Sequence, residues 1–297
     1  MIRTRIHPAW FVAAIAFVAL IGSAGFRAAP GALFVPLHDE FGWSTSVMSA
    51  AVSINLVLYG LTAPFAAALM DRFGIRQVTS AALLFIALGS GLTVFMTASW
   101  QLLLTWGLLI GLGTGSMALV FAATIANRWF IERRGLVMGV LTAGSATGQL
   151  IFLPIVAFLA ENVGWRTASL VIAGAALTVV PLVVLTLRDQ PADRGTTPYG
   201  APEDYVAPPL AKGGAARRAV DALRAATHVR SFWALAAAFA ICGATTNGLI
   251  GIHFIPSAHD HGMSQTTAAG LLAVVGIFDI IGTVGSGYLT DRVDPRY

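Results

Sequence analysis

Charged residues are scarce in this sequence. Only 11% of its 297 residues are Asp, Glu, Lys or Arg, and 57% are hydrophobic, whereas a soluble domain usually carries about 25% charged residues. The mean hydropathy is +0.77. Such a chain cannot cover its own apolar surface with polar groups in water. The composition therefore excludes a soluble globular protein and indicates one whose solvent is the lipid bilayer.

Cysteine and recognisable catalytic clusters are also scarce. Cys242 is the single cysteine, which excludes an internal disulfide. Cysteine usage therefore does not indicate whether the compartment is oxidising or reducing. No Cys/His cluster suggests a metal, and no glycine-rich stretch followed by Lys-Ser/Thr suggests a phosphate loop. No nucleophile elbow or paired acid site is present. The sequence therefore predicts neither an enzyme nor a protein with a metal or cofactor.

Long apolar runs dominate what is present. A membrane-spanning helix needs about 20 mostly apolar residues, and eight runs meet that length, which predicts an all-α membrane-spanning fold. The breaks contain glycine with polar neighbours, which indicates turns, at Gly42, Gly74, Gly135, Gly164 and Gly262. The predicted spans are Trp10–Pro36, Ser44–Met70, Val78–Ala98, Gln101–Ala126, Leu136–Ala160, Trp165–Leu187, Ser231–Ser257 and Ser264–Thr290.

Positive charge is distributed unevenly between the predicted loops. If the N-terminus is cytoplasmic, the cytoplasmic segments hold 16 of the 18 Lys and Arg residues, the opposite loops hold only Arg166, and Arg27 lies inside the first run. Cytoplasmic loops of membrane proteins carry this excess. The pattern predicts a multi-pass protein of the plasma or inner membrane, with its N-terminus and central linker cytoplasmic. Because the charges lie in short clusters between apolar runs, nucleic acid is not an expected partner.

The apolar pattern divides the chain into three parts. Residues 1–188 form a predicted six-helix half, residues 189–230 a cytoplasmic linker, and residues 231–297 the first two helices of a second half. Residues 190–210 are rich in Pro, Gly and acid, which favours a flexible segment. Residues 217–230 have the pattern of a basic amphipathic helix lying on the inner leaflet.

The two halves share an internal repeat. Sliding the sequence on itself by 220 positions aligns identical residues at turns and helix ends, which indicates a parallel duplication. The first run thus belongs to the fold and is not a cleaved signal peptide. Because the second unit has only two helices, we expect four more beyond Tyr297. The aligned pairs include Gly31/Gly251, Phe34/Phe254, Pro36/Pro256, Gly42/Gly262, Ser44/Ser264, Leu69/Leu289, Asp71/Asp291, Arg72/Arg292 and Arg76/Arg296.

Two copies of one loop carry a family resemblance. Ala67–Arg76 and Gly287–Arg296 both contain Asp-Arg-x3-Arg, and they resemble the signature loops after helices 2 and 8 of the major facilitator superfamily. Ala67 stands where that family usually has Gly. The resemblance implies a parallel two-half bundle of twelve helices, of which eight are present here. It also implies a conformational switch at Asp71, Arg72, Gly74, Arg76, Asp291, Arg292 and Arg296.

Further stretches are similar to one branch of that superfamily, the monocarboxylate and oxalate/formate transporters. The branch resemblance implies transport of a small organic anion without naming it. The stretches are Phe41–Ser44, Arg128–Phe130, Arg133–Gly135, Ala143–Gly148, Gly164–Arg166 and Gly276–Thr283.

Two charged residues lie within predicted spanning helices. A charge there costs at least about 2.5–3.5 kcal/mol and usually marks a pathway or site. Arg27 is either an anchor for a substrate carboxylate or an Arg that pairs internally or snorkels outward. Asp279 carries a coupled proton, or it pairs with Arg27 as a structural ion pair. Monocarboxylate transporters often have Arg four residues after this Asp, where Thr283 stands here.

Other intramembrane residues have a structural and a functional reading. Asn55, Asn247 and His253 are candidates for substrate binding, or hydrogen-bonded groups that stabilise the bundle, while Tyr59 is interpreted as packing. Glycines four apart let helix backbones approach closely. They are interpreted as packing stripes at Gly107, Gly111, Gly115, Gly144 and Gly148.

The sequence thus predicts a secondary transporter of a small organic solute, a monocarboxylate or related anion, working by alternating access with optional proton coupling. Its expected partners are the substrate, the lipid bilayer and protons. A same-fold transporter of a drug or sugar remains an alternative, and so does a non-transporting membrane receptor or scaffold.

Overall fold

The computed structural model describes residues 7–117, 119–206 and 215–293. This part of the chain forms eight helices long and apolar enough to cross a membrane, and it contains no β-strand. Their number and order confirm the eight predicted spans. The helices are α1 (Pro8–Phe41), α2 (Thr45–Phe73), α3 (Ile75–Thr93), α4 (Ser99–Trp129), α5 (Arg134–Asn162), α6 (Trp165–Thr186), α7 (Arg230–Asp260) and α8 (Gln265–Thr290).

The turns that precede α2 and α8 are built in the same way. Gly42 and Gly262 both have positive φ, at +65° and +83°, a region that glycine enters without steric cost. Two residues later, Ser44 and Ser264 cap the next helix by accepting hydrogen bonds from Val47 N (3.4 Å) and Thr267 N (3.2 Å). Equivalent residues of the repeat therefore form the same turn and the same helix cap, as expected for a duplication.

Gly135 corrects the prediction of a turn at that position. It lies in the first helical turn of α5, and the turn itself is made by Arg133, whose φ is +60°. A Cβ on Gly135 would overlap the carbonyl oxygen of Gly287 in α8. The glycine is needed for close helix approach, and not for a left-handed backbone.

The helices pack in a few dominant pairs. α5 contacts both α1 and α8 along much of its length, α3 packs on α6, and α2 packs on α4. The predicted glycine stripes lie in these contacts: a Cβ on Gly111 would be 3.1 Å from Asn55 Cα in α2, and one on Gly148 would be 2.8 Å from Ile21 O in α1. The packing interpretation of the stripes is confirmed.

Two of the long helices change their winding within their length. α4 is π-helical over Leu103–Ile110, and α7 is π-helical over Gly243–Ile250. A π-helical stretch shifts the backbone hydrogen-bond pattern by one residue and often lies at a functional site. The stretch in α7 lies in the middle of its helix, whereas the one in α4 begins four residues after Ser99.

The first part of the linker is bonded to the bundle, which corrects the expectation of a flexible segment. Asp189 Oδ1 accepts a hydrogen bond from Arg76 N at 2.8 Å. Tyr199 N donates to Trp129 O at 2.8 Å, and Tyr199 O accepts from Ile131 N at 2.8 Å. The Tyr199 ring packs edge-on against Trp10, with centroids 5.6 Å apart. These long-range bonds hold the segment in place despite its composition.

A short helix follows in the linker. It spans Ala215–Ala226 and packs against α2. Arg217 and Arg224 are exposed, and so are Val220 and Leu223. The helix therefore presents both positive charge and apolar side chains outside the bundle.

The ends of the helices define two faces of the bundle. The linker face carries the linker, the α2–α3 and α4–α5 turns and the end of α8 at Asp291, and it is joined by the Arg76–Asp189 and Gly135–Asp291 contacts. The distal face carries the α1–α2, α5–α6 and α7–α8 turns. There Arg166 in α6 makes a bidentate ion pair with Glu40 in α1.

Candidate functional site

α1 and α7 meet at equivalent positions of the repeat. A Cβ on Gly31 would lie 3.1 Å from Gly251 O and 3.2 Å from Ile252 O, and Gly31 and Gly251 are related by the 220-residue offset. Parallel repeats are related by an axis along the membrane normal, and residues that are related by such an axis and also touch each other must lie near it. The duplication predicted from the sequence therefore implies that the axis passes near this contact.

Arg27 lies one helical turn from this axis contact. It is half-buried, and its guanidinium carbon is 5.1 Å from the centroid of the Tyr59 ring in α2. A cation over an aromatic face is attracted by the ring quadrupole, most strongly where water is excluded. Tyr59, interpreted from sequence as packing, thus also positions the charge. No sequence spacing indicates this contact, because α1 and α2 come together only through tertiary packing.

Asn55 lies beside the same region, on the α2–α4 interface. It is 8% exposed, and its Nδ2 donates to the backbone carbonyl of Trp106 at 2.7 Å. Trp106 is in the π-helical part of α4, and its ring packs edge-on against Phe26. In this conformation the Asn55 amide nitrogen therefore stabilises the bundle by a hydrogen bond between α2 and α4.

The two candidates on α7 fall in or next to its π-helical stretch. The side chain of Asn247 lies outside the described part of the structure; its backbone is in the π-helical turn that precedes Gly251. His253 is exposed and lines an open groove of about 260 Å³ between α2 and α7, together with Ser49 and Ser53. The structure thus places His253 between the halves, beside two hydroxyl groups.

Asp279 lies on the exposed flank of α8. Its Oδ1 accepts a hydrogen bond from the Thr283 hydroxyl at 3.2 Å. The residue that departs from the monocarboxylate pattern is therefore the one that bonds this carboxylate. The described ion pairs join Arg128 to Asp71 and Arg166 to Glu40, and a pair between Arg27 and Asp279 is not among them.

The first Asp-Arg-x3-Arg turn, after α2, is bound within its own half. Asp71 pairs with Arg128 of α4 at 2.6 Å, and Arg72 stacks over Phe73 at 5.0 Å. Gly74 has φ +89°, and a Cβ there would be 2.6 Å from a carboxylate oxygen of Asp189. The glycine therefore leaves room for Asp189 to reach the backbone N–H of Arg76.

The second Asp-Arg-x3-Arg turn, after α8, reaches across to the other half. Asp291 accepts hydrogen bonds from Gly135 N at 2.7 Å and from Leu136 N at 2.8 Å. These are two of the backbone donors that the start of α5 leaves without partners inside the helix. Arg292 stacks over Tyr288 at 4.4 Å, and Arg296 lies outside the described residues. In this turn, the acid makes the hydrogen bonds to the other half.

A carboxylate that the sequence reasoning did not single out makes a similar contact on the distal face. Glu161, in the last turn of α5, accepts from Thr266 N at 3.1 Å and from Thr266 Oγ1 at 2.7 Å. Among the residues described, no group of three or more His, Cys, Asp or Glu side chains is arranged to hold a metal ion.

Comparison with known proteins agrees with this architecture. A family model described as Major Facilitator Superfamily matches residues 15–297. Monocarboxylate transporter 13 from Bos taurus is 30% identical over 287 residues, which cover 96% of this chain and 62% of that protein. An uncharacterized MFS-type transporter, YcxA from Bacillus subtilis (strain 168), is 25% identical over 99% of this chain and 68% of its own length.

A solved structure shows the same fold. The crystal structure of a double-Trp mutant of XylE superposes with a TM-score of 0.61 at 16% identity, over 95% of this chain and 70% of that one. The chain spans 62% of the length of the bovine relative. It belongs to the Major Facilitator Superfamily, a family of multi-pass membrane transporters and not of enzymes.

Proposed function

We propose that the complete protein is a secondary transporter of a small organic anion, a monocarboxylate or related compound. The observation that carries the proposal is the half-buried guanidinium of Arg27 next to the axis between the halves. A charge kept in an apolar bundle usually marks a substrate pathway. Relatives named monocarboxylate transporters, at 28–30% identity, support the same substrate class.

Arg27 suits a carboxylate for geometric reasons. The guanidinium presents donors in a planar fork that matches the two oxygens of a carboxylate. Tyr59 holds the positive group from one side. In this proposal Asn55, Asn247 and His253 line the space around the bound anion, and the halves rock about it to expose it to either face.

The asymmetry of charge between the two faces supports an orientation. Arg72, Arg128 and Arg133 lie at turns of the linker face, and the linker helix adds exposed arginines. Arg166 on the distal face is paired with Glu40. By the positive-inside rule, we place the linker face in the cytoplasm of a plasma or inner membrane. The linker helix then rests on anionic lipid headgroups.

The two Asp-Arg-x3-Arg turns belong to state switching in this proposal. Asp291 bonds the start of α5 and so joins the halves on the linker face. Opening that face would break both hydrogen bonds, while the internal Asp71–Arg128 pair would move with its own half. The turns therefore set the rate of conformational exchange and not the choice of substrate.

Transport is tested by uptake into proteoliposomes that contain the complete protein. Labelled short-chain monocarboxylates should enter saturably and compete with one another, whereas a neutral hexose and a lipophilic cation should not compete. Saturable uptake of the hexose or the cation with no monocarboxylate uptake would support the sugar or drug alternative. Binding of a ligand without uptake of any solute would support the receptor alternative.

Asp279→Asn is expected to flatten the pH dependence of uptake. If Asp279 carries the coupled proton, the Asn side chain, which cannot carry one, removes that step. Asparagine keeps an oxygen that can accept the Thr283 bond. Initial uptake rates across the acidic to neutral range measure the effect, and anion exchange should persist.

The matched control is Asp260→Asn, an exposed acid at the distal end of α7. It should keep the parent's pH profile. An Asp279→Asn variant with the parent's pH profile would show that the proton travels elsewhere.

A further inference from the structure

α5 and α8 form the longest contact between the two halves. They lie antiparallel, so the end of each helix is beside the start of the other. At the linker face their backbones nearly touch, since a Cβ on Gly139 would lie 2.6 Å from Thr283 O. Toward the distal face the fit is looser, since a Cβ on Gly276 would lie 3.6 Å from Ala146 O, an ordinary contact.

Each of these helices sends a carboxylate to the first turn of the other. On the linker face, Asp291 at the end of α8 binds the N–H groups of Gly135 and Leu136 in α5. On the distal face, Glu161 at the end of α5 binds the N–H and the hydroxyl of Thr266, the second residue of α8. A negative group at a helix N-terminus is stabilised by unpaired N–H donors and by the helix dipole.

The two contacts differ in what remains when they break. α5 has no side-chain cap of its own, because Arg133 at its N-cap makes no such bond, so two N–H groups lose their partner when Asp291 leaves. α8 has its own cap, because Ser264 accepts from Thr267 N at 3.2 Å. When Glu161 leaves, α8 therefore loses the partner of one N–H group, that of Thr266, and of the Thr266 hydroxyl, which can rotate to another acceptor. Release therefore costs less on the distal face.

We infer that Glu161 is a positioning residue that holds the distal face closed, and that its weaker contact biases the empty protein toward the state open on that face. The inference rests on the proposed alternating access, because a rocking motion that opens one face must separate α5 from α8 at that end. Asp291 holds the linker face closed by its hydrogen bonds to α5. Glu161 and Asp291 thus act in opposite directions on one equilibrium.

The inference is tested with spin-label distances in the complete protein without substrate. In a Cys242→Ser background, labels at Ser46→Cys and His259→Cys report the distal face, and labels at Gln77→Cys and Ser231→Cys report the linker face; all four positions are exposed. The parent should populate the distal-open distance more than the linker-open one. A larger linker-open population in the parent would overturn the inferred bias.

Glu161→Gln should raise the distal-open to distal-closed ratio by about twofold to fivefold, the usual range of a charge effect at a helix N-terminus. Gln keeps the shape of the side chain and one acceptor oxygen, so the fold is preserved. Thr266→Val should shift the ratio in the same direction by less. Asp291→Asn should shift it further in the opposite direction, because its contact is the stronger one. The two shifts should add, since the two sites are far apart, so the double variant should lie between the parent and Asp291→Asn.

The matched control is Asp39→Asn, which removes an exposed acid near the distal end of α1 and should leave the ratio unchanged. If Glu161→Gln behaves like Asp39→Asn while the parent still switches between two distances, the role of Glu161 is overturned and alternating access stands. A single unchanging distance in every variant and with added monocarboxylate would overturn the proposed function together with this inference.

Discussion

Arg27→Gln is expected to remove saturable uptake of a carboxylate substrate. Hydrogen bonds to a charged group contribute about 1.5–3 kcal/mol, so the apparent affinity should fall by about 10-fold to 150-fold. A neutral amide also leaves the substrate's negative charge without compensation in the apolar bundle. Concentration-dependent uptake in proteoliposomes measures the loss. Arg27→Lys, which keeps the charge but not the planar fork, should lie between the parent and Arg27→Gln.

The controls separate a binding defect from a folding defect. Removing a charge from a spanning helix lowers the cost of membrane insertion by about 2.5–3.5 kcal/mol, so Arg27→Gln should be at least as abundant in the membrane as the parent. Arg166→Gln changes an exposed arginine of the same half that pairs with Glu40 on the distal face, and it should keep the parent's affinity. Uptake by Arg27→Gln with the parent's affinity would show that the anion binds elsewhere.

Gly287→Val is expected to hold the linker face open and to slow transport by about tenfold or more. A Cβ at this position would overlap Gly135 O and would lie 3.0 Å from Gly139 Cα. Both neighbours are backbone atoms of α5, so only separation of the helices relieves the overlap. Overpacking of this kind costs about 1–3 kcal/mol, and the cost falls only on the state in which α5 and α8 are close together.

Gly285→Val is the matched control, two residues earlier on the same helix. A Cβ there has no atom within 4 Å, so the substitution should change neither uptake nor the Gln77–Ser231 label distance. In Gly287→Val that distance should lengthen. Equal uptake by the two valine variants would mean that the close contact at Gly287 does not separate during transport.

Several features were predictable from local pattern alone. The eight spans could be predicted because their length and apolarity are properties of consecutive residues. The turns at Gly42 and Gly262 could be predicted because a positive φ and a Ser cap two residues later are encoded within a few positions. The duplication was readable for the same reason, since equivalent turns kept equivalent residues.

Other predictions from local sequence were wrong where contacts with distant parts of the chain outweigh the local preference. Gly135 has the composition of a turn but serves a helix contact with Gly287, which is 152 positions away (287 minus 135). The Pro- and Gly-rich start of the linker favours flexibility, yet Asp189 and Tyr199 are bonded to Arg76, Trp129 and Ile131. Long-range hydrogen bonds outweigh a weak local preference, and no window of consecutive residues contains them.

Composition and local pattern were enough to predict the eight spans, the duplicated layout and an arginine within the first helix. The contacts of the charged groups became visible only when the helices were packed together. Arg27 lies over the Tyr59 ring, Asp291 accepts hydrogen bonds from the start of α5, and Glu161 accepts them from the start of α8. The physical reason is that spans and turns depend on neighbours along the chain, whereas these pairings depend on how whole helices pack.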